Sequence, residues 1–289
     1  MMNVTRRRFI SQSALTLTFA CMLHPPRARA AGCCGVKVGA CVVGLEDAKE
    51  AGLDGVQVSV DNAADILDIA KPAAQERYKA QMQSIGLPIC SFTMGLLNNY
   101  PLATDPRGLA WLEQSIDAAK ELGVDNVLVA FFGKGDLQNG KKIKEEAFSL
   151  VVNRLKKAAP RAKDAGVSLA LENFLSAEQN LRLVDGIGHD SISIYYDVCN
   201  TGMTQGYDSP AEIRRLKGLI SQVHYKNKSA DLSKPAYLDE DKSYFESVTA
   251  ALKDINYSGW VVIEGSCPSK NRIADAKRNC DFVRSLFKS

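Results

Sequence analysis

From residue 35 onward the chain alternates, eight times, a short run rich in β-branched residues with a longer segment of helical spacing, and no other feature restricts its fold as much. The short runs fall at 36–43, 55–60, 87–94, 124–132, 167–174, 192–198, 220–227 and 260–264. The helical segments fall at 45–51, 72–85, 106–122, 143–165, 177–184, 210–216, 244–255 and 273–287, and several stop at a glycine, as helices ending in a left-handed residue do. Pro160 predicts a kink or break in the fourth of them. Strands that are apolar on both faces and separated by helices belong to a parallel sheet covered by helices. Eight such units in a stretch close to the usual roughly 250 residues predict an α/β fold, a closed (β/α)8 TIM barrel. An open doubly wound sheet is the competing arrangement, but no Gly-x-Gly-x-x-Gly follows the first strand, so a dinucleotide fold lacks its phosphate turn. No linker or low-complexity tract divides 31–289, which reads as one domain.

The N-terminus follows different rules. Thr5-Arg6-Arg7-Arg8-Phe9-Ile10 precedes an apolar run over 14–23 and then Ala28-Arg29-Ala30, a small-x-small cleavage pattern. A basic start, a short apolar stretch and such a site make an export signal over residues 1–30, and the stretch is too short to span a membrane. The order of residues resembles the twin-arginine signal, which exports folded proteins, so a periplasmic or secreted location is expected.

Composition matters once that segment is set aside. The whole chain has 36 basic and 33 acidic side chains, a formal charge of +3. Residues 1–30 hold five arginines and no acid, so 31 bases face 33 acids in the remainder and the charge there is −2. A nearly neutral protein offers no electrostatic footprint for nucleic acid, and small-molecule chemistry becomes the expectation.

In a barrel of this kind the chemistry gathers at the C-terminal ends of the strands. The fifth strand closes on Leu171-Glu172-Asn173, the sixth on Tyr196-Asp197-Val198-Cys199-Asn200, the seventh on Val223-His224-Tyr225-Lys226-Asn227 and the eighth on Val262-Ile263-Glu264-Gly265. Each residue alone is ordinarily a cap, an ion-pair partner or a satisfied core histidine. Together, Glu172, Asp197, His224 and Glu264 place four metal-binding side chains at one end of four successive strands, after apolar runs where an unpaired charge would be costly. An oxygen-rich set with one imidazole suits Mn2+ first, with Mg2+ or Co2+ as alternatives, rather than a thiolate zinc site.

These four motifs, with Gly52-Leu53-Asp54-Gly55-Val56-Gln57 on the second strand, resemble those of the xylose-isomerase-like TIM-barrel superfamily. Within it the sugar isomerase and epimerase branch, near ketose 3-epimerases and inosose dehydratases, is most similar. The resemblance implies one divalent metal and a small carbohydrate substrate. Chelation of a sugar carbonyl and a neighbouring hydroxyl would stabilise an enediolate, with Glu172 and Glu264 as metal ligands and as the acid and base working on opposite faces. It further implies Asn200, Lys226, Asn227 and Gln57 as substrate contacts.

Relatives often carry His where Phe174 and Asn200 stand, Asp where Asn227 stands and Glu where Gln57 stands, so the substrate is expected to differ from a simple or phosphorylated ketose. Lys134 is a weaker candidate for a substrate contact. A lyase or dehydratase acting on a keto-sugar or 3-keto-glycoside is the alternative activity, and a non-catalytic sugar-binding barrel the third reading. A multi-zinc nuclease is disfavoured, because only His189 and His224 follow residue 30, and His189 falls at the opposite barrel end. Seven cysteines follow residue 30, and packing is the expected role of Cys41, Cys90, Cys199 and Cys267. Metal identity, disulfide pairing and oligomeric state, a homo-oligomer included, stay open at the level of sequence.

Overall fold

The computed structural model describes residues 35–60, 62–269 and 271–288. The expected export signal at 1–30 lies outside them. In chain order the elements are β1 (Lys37–Ala40), α1 (Leu45–Glu50), β2 (Gly55–Ser59), α2 (Pro72–Ile85), β3 (Ile89–Thr93), α3 (Gly108–Leu122) and β4 (Asn126–Ala130). A small hairpin follows, β5 (Gln138–Asn139) and β6 (Lys142–Ile143), and then α4 (Glu145–Ala165). The chain continues through β7 (Ser168–Glu172), α5 (Ala177–Ile187), β8 (Ile192–Asp197), α6 (Ser209–Leu216), β9 (Ile220–Tyr225), α7 (Lys242–Asp254), β10 (Trp260–Ile263) and α8 (Arg272–Lys288). Eight of the strands close in the order β1-β10-β9-β8-β7-β4-β3-β2, every pair parallel. This is the (β/α)8 barrel that the alternation predicts.

The two-faced apolarity of the strands has a direct cause. Along β4, Val127 and Val129 pack outward under the helices, whereas Leu128 and Ala130 turn into the lumen. The same period of two sends Leu169 and Leu171, Val223 and Tyr225, and Val261 and Ile263 outward. Cys90, Leu128, Ala130, Ala170, Tyr195, Trp260 and Val262 fill the lumen, with Phe132 packed against them. Continued by one step, the inward series Ala170, Tyr195 and Val262 arrives at Glu172, Asp197 and Glu264. Glu172, Asp197 and His224 are thus the last inward positions of their strands, and Glu264 directly follows β10, its amide donating to the Tyr225 carbonyl at 3.0 Å.

Differences from the expected elements are local. α4 runs without interruption through Pro160. The proline lies on the exposed face, so the carbonyl it leaves unpaired one turn earlier can meet water, and burial of Val151, Leu155, Ala158 and Ala162 holds the helix together. β7 and β9 stop at Glu172 and Tyr225, earlier than expected, because asparagines take over the backbone. Asn173 Oδ1 accepts the Leu175 amide at 2.8 Å, and the amide of Asn227 donates to Ser266 Oγ at 2.8 Å. The five cysteines among the described residues are all unpaired, with Cys90, Cys199 and Cys280 buried. His189 stands before β8, its Nδ1 2.9 Å from Ser191 Oγ, at the barrel end away from the candidate ligands.

Candidate metal centre

Four adjacent strands of the closed sheet, β7 to β10, bring Glu172, Asp197, His224 and Glu264 together, and one donor atom from each lies within 4.8 Å of all the others. His224 Nδ1 is 2.9 Å from Glu172 Oε1, 3.5 Å from Glu264 Oε2 and 3.9 Å from Asp197 Oδ2. Glu172, Asp197 and His224 are buried, whereas Glu264 keeps a third of its side chain exposed. Asp197 is fixed from behind by the turn that follows it. The Asn200 amide donates to its Oδ1 at 2.7 Å, and the Thr201 hydroxyl donates to its carbonyl at 2.8 Å.

The other carboxylate oxygen, Asp197 Oδ2, is buried without a well-directed hydrogen-bond donor, although Lys226 Nζ stands 2.8 Å away. That ammonium donates instead to Glu264 Oε2 at 2.7 Å. Three carboxylates and an imidazole converging on a buried point, with one lysine and one undirected oxygen, are the donor set a divalent cation takes: hard oxygens, one nitrogen and an excess of negative charge. The residues present therefore fit such an ion.

Electrostatics push these groups apart. Burial raises Asp197 to about 7; Glu264 and Glu172 add to the rise, while Lys226 and His224 oppose it. Burial would raise Glu264 as well, but His224 and Lys226 outweigh it and hold that carboxyl at about 2. His224 is raised, because Glu172, Glu264 and Asp197 together exceed the depressing effect of its burial. Lys226 is raised for the same reason, its three acidic neighbours overcoming desolvation. The Cys41 thiol, half-buried at the end of β1, is pushed up by burial and then by Glu264 and Glu172, which keeps it protonated.

The remaining sequence candidates separate into two groups. Lys226 reaches the centre, and Asn200 stands beside it with its backbone amide on Asp197 and its side-chain amide unengaged among the described residues. Gln57 and Asn227 are occupied elsewhere. Gln57 Oε1 faces His224 Nε2 at 3.0 Å and its amide nitrogen donates to Ser91 Oγ at 2.9 Å and Tyr195 Oη at 3.0 Å. Asn227 donates through Nδ2 to the Tyr237 carbonyl at 2.7 Å and accepts the Lys228 amide at 2.9 Å, which ties down the loop after β9. Lys134 is exposed in the turn after β4.

Sequence reading passed over Ser91, Tyr195 and Phe132. The period-two inward series marks Tyr195, two positions before Asp197. The same series marks Phe132, two positions after Ala130, and its ring meets Phe174 edge-on at 4.8 Å between centroids.

No curated protein matches the chain. Solved structures do. An L-ribulose 3-epimerase is 22% identical, covers 88% of this chain and 95% of its own, and superposes with a TM-score of 0.70. A D-allulose 3-epimerase from Methylomonas sp., in complex with D-allulose, is 16% identical over 88% of this chain and 98% of its own, with a TM-score of 0.71. A 3-keto-D-glucoside 4-epimerase from E. coli is 17% identical over 88% and 100%, with a TM-score of 0.68. At these identities the likeness is one of fold. Residues 45–286 match the family described as xylose isomerase-like TIM barrel, and that span covers all four ligand strands and most of the chain. The chain belongs to the xylose isomerase-like TIM barrel family.

Proposed function

We propose that this chain is an exported, divalent-metal-dependent sugar isomerase or epimerase that moves a proton at a carbon beside a carbonyl. The observation that carries the reading is the convergence of Glu172, Asp197, His224 and Glu264 within 4.8 Å. A bound divalent cation, Mn2+ before Mg2+ or Co2+, would supply Lewis-acid stabilisation of the charge that builds on the sugar oxygens as an enediolate forms. Glu172 and Glu264 stand on the two outer strands of the four-strand arc, with Asp197 and His224 between them. Carboxylates on opposite flanks can take a proton from one face of a carbon and return one to the other, which inverts it. Lys226 and the unengaged amide of Asn200 are placed to hold substrate oxygens at the rim.

A second reading, lyase or dehydratase action on a 3-keto-glycoside, draws support from the half-buried aromatic pair Phe132 and Phe174 at the ends of neighbouring strands β4 and β7. An apolar wall there suits the face of a second sugar ring or an aglycone better than the hydroxyls of a small ketose. The experiment is proton exchange in D2O with Mn2+ present, over a panel of ketoses and 3-keto-glycosides, followed by NMR. Deuterium beside the carbonyl with formation of an epimer or isomer is expected. Loss of water or aglycone selects the second reading, and binding of a sugar without exchange or turnover anywhere in the panel overturns both in favour of a carrier.

A further inference from the structure

Gln57 lies on β2, across the lumen from β9, yet its side chain is wholly engaged around His224. Its carbonyl oxygen faces His224 Nε2 at 3.0 Å, and its amide nitrogen has two acceptors, Ser91 Oγ at 2.9 Å and Tyr195 Oη at 3.0 Å. The side chain is buried, so these are its partners in place of water. Tyr195 also lies against the imidazole, with ring centroids 4.3 Å apart. Two irregularities in the sheet coincide with this network. The β2–β3 register shifts between Val56 and Gln57, and the β8–β9 register shifts between Ile194 and Tyr195. Bulges re-aim the side chains at which they occur, and here both re-aimed residues meet at one imidazole.

We propose that Gln57 is a positioning residue: by accepting a hydrogen bond from the Nε2–H of His224 it fixes the ring's tautomer and leaves Nδ1, the nitrogen facing Glu172, Asp197 and Glu264, as the ligating atom. The amide's own orientation decides this. With the carbonyl toward His224, both amide hydrogens find acceptors on Ser91 and Tyr195. With the amide reversed, its NH2 would meet Nε2 and the imidazole proton would move to Nδ1, in front of the carboxylates, where it would block coordination. A neutral amide does this without adding a fourth carboxylate to a centre that already holds three. The inference rests on the metal reading above and adds which nitrogen binds and what makes it bind.

The test has two independent arms. In the Mg2+-loaded wild-type protein, long-range 1H–15N correlation spectra of His224 are expected to show the proton on Nε2; a proton on Nδ1 overturns the proposal. By titration calorimetry with Mn2+, Gln57→Leu is expected to weaken binding about 10- to 100-fold, the usual cost of losing such a partner, while Gln57→Glu, which still accepts a hydrogen bond from the Nε2–H, is expected to recover most of it. Equal affinity of wild type and Gln57→Leu overturns the proposal, as does a Gln57→Glu protein no better than Gln57→Leu. If Gln57→Leu does not fold, the wild-type spectrum decides. A wild-type protein that binds neither ion overturns the metal reading, and that result is distinct from binding with the wrong tautomer.

Discussion

Under the proposed function Glu172 would do two things with one side chain, hold an ion and move a proton, and both need its charge. Replacing it with Gln keeps the shape and removes the anion 2.9 Å from His224 Nδ1. Glu172→Gln is expected to lower the rate of deuterium incorporation about 10^2- to 10^4-fold, the usual span for a lost acid or base, and to weaken Mn2+ binding in the same protein. Exchange at the wild-type rate would remove Glu172 from the chemistry. At this scale Glu172, Asp197 and Glu264 were legible because the inward series turns from Ala170, Tyr195 and Val262 to a carboxylate, whereas His224 follows the polar Gln222 and was legible as an imidazole at the same barrel end. Gln57 and Asn227 were legible as polar residues near the site but not in what they touch. Whether an amide faces a substrate or a neighbouring side chain depends on partners far off in sequence: Tyr195 is 138 positions from Gln57.

The turn after β8 shows how a short element can hold a ligand still. Residues Cys199–Thr204 form a single π-helical turn, a form that often marks functional sites, and its amides and hydroxyls grip Asp197. Gly202 lies inside it, where an added Cβ would collide with the Tyr244 hydroxyl and Ser209 Oγ. Tyr244 cannot easily yield, because its hydroxyl donates to the Val198 carbonyl at 2.6 Å and stands 2.9 Å from Ser209 Oγ. Gly202→Ala is expected to destabilise the protein by about 1–3 kcal/mol, measured by thermal or denaturant unfolding, and to weaken Mn2+ binding by shifting Asp197. Unchanged stability would show that the turn has slack. Among the described residues, all eight barrel strands and all eight α-helices were readable from periodicity and glycine stops. The π-turn and the β5–β6 hairpin were not, since each is a few residues long and takes its shape from tertiary contacts such as Gln138 Nε2 donating to the Phe174 carbonyl at 3.2 Å.

For the molecule as a whole, the converging carboxylates are a cost that a bound cation relieves. Ligand binding to the folded state alone adds about 2.7 kcal/mol at a hundred times Kd. For a barrel of this size that is worth roughly 2–4 °C per kcal/mol. Mn2+ is therefore expected to raise the melting temperature by several degrees over protein in a chelator, and equal melting curves would speak against a metal centre. The barrel was legible as a whole because eight βα units have few other ways to bury both faces of a parallel sheet. All four candidate ligands come from β7 to β10 and the residue that follows it, while long excursions follow β3 (94–107) and β4 (131–144) as well as β9 (226–241). The chain is thereby divided: its later half holds all four candidate ligands, and its earlier half supplies two of the long excursions at the same end of the barrel. Gln57 is the thread that crosses the division, so a first half transplanted from a relative would carry with it the setting of the histidine on the far side.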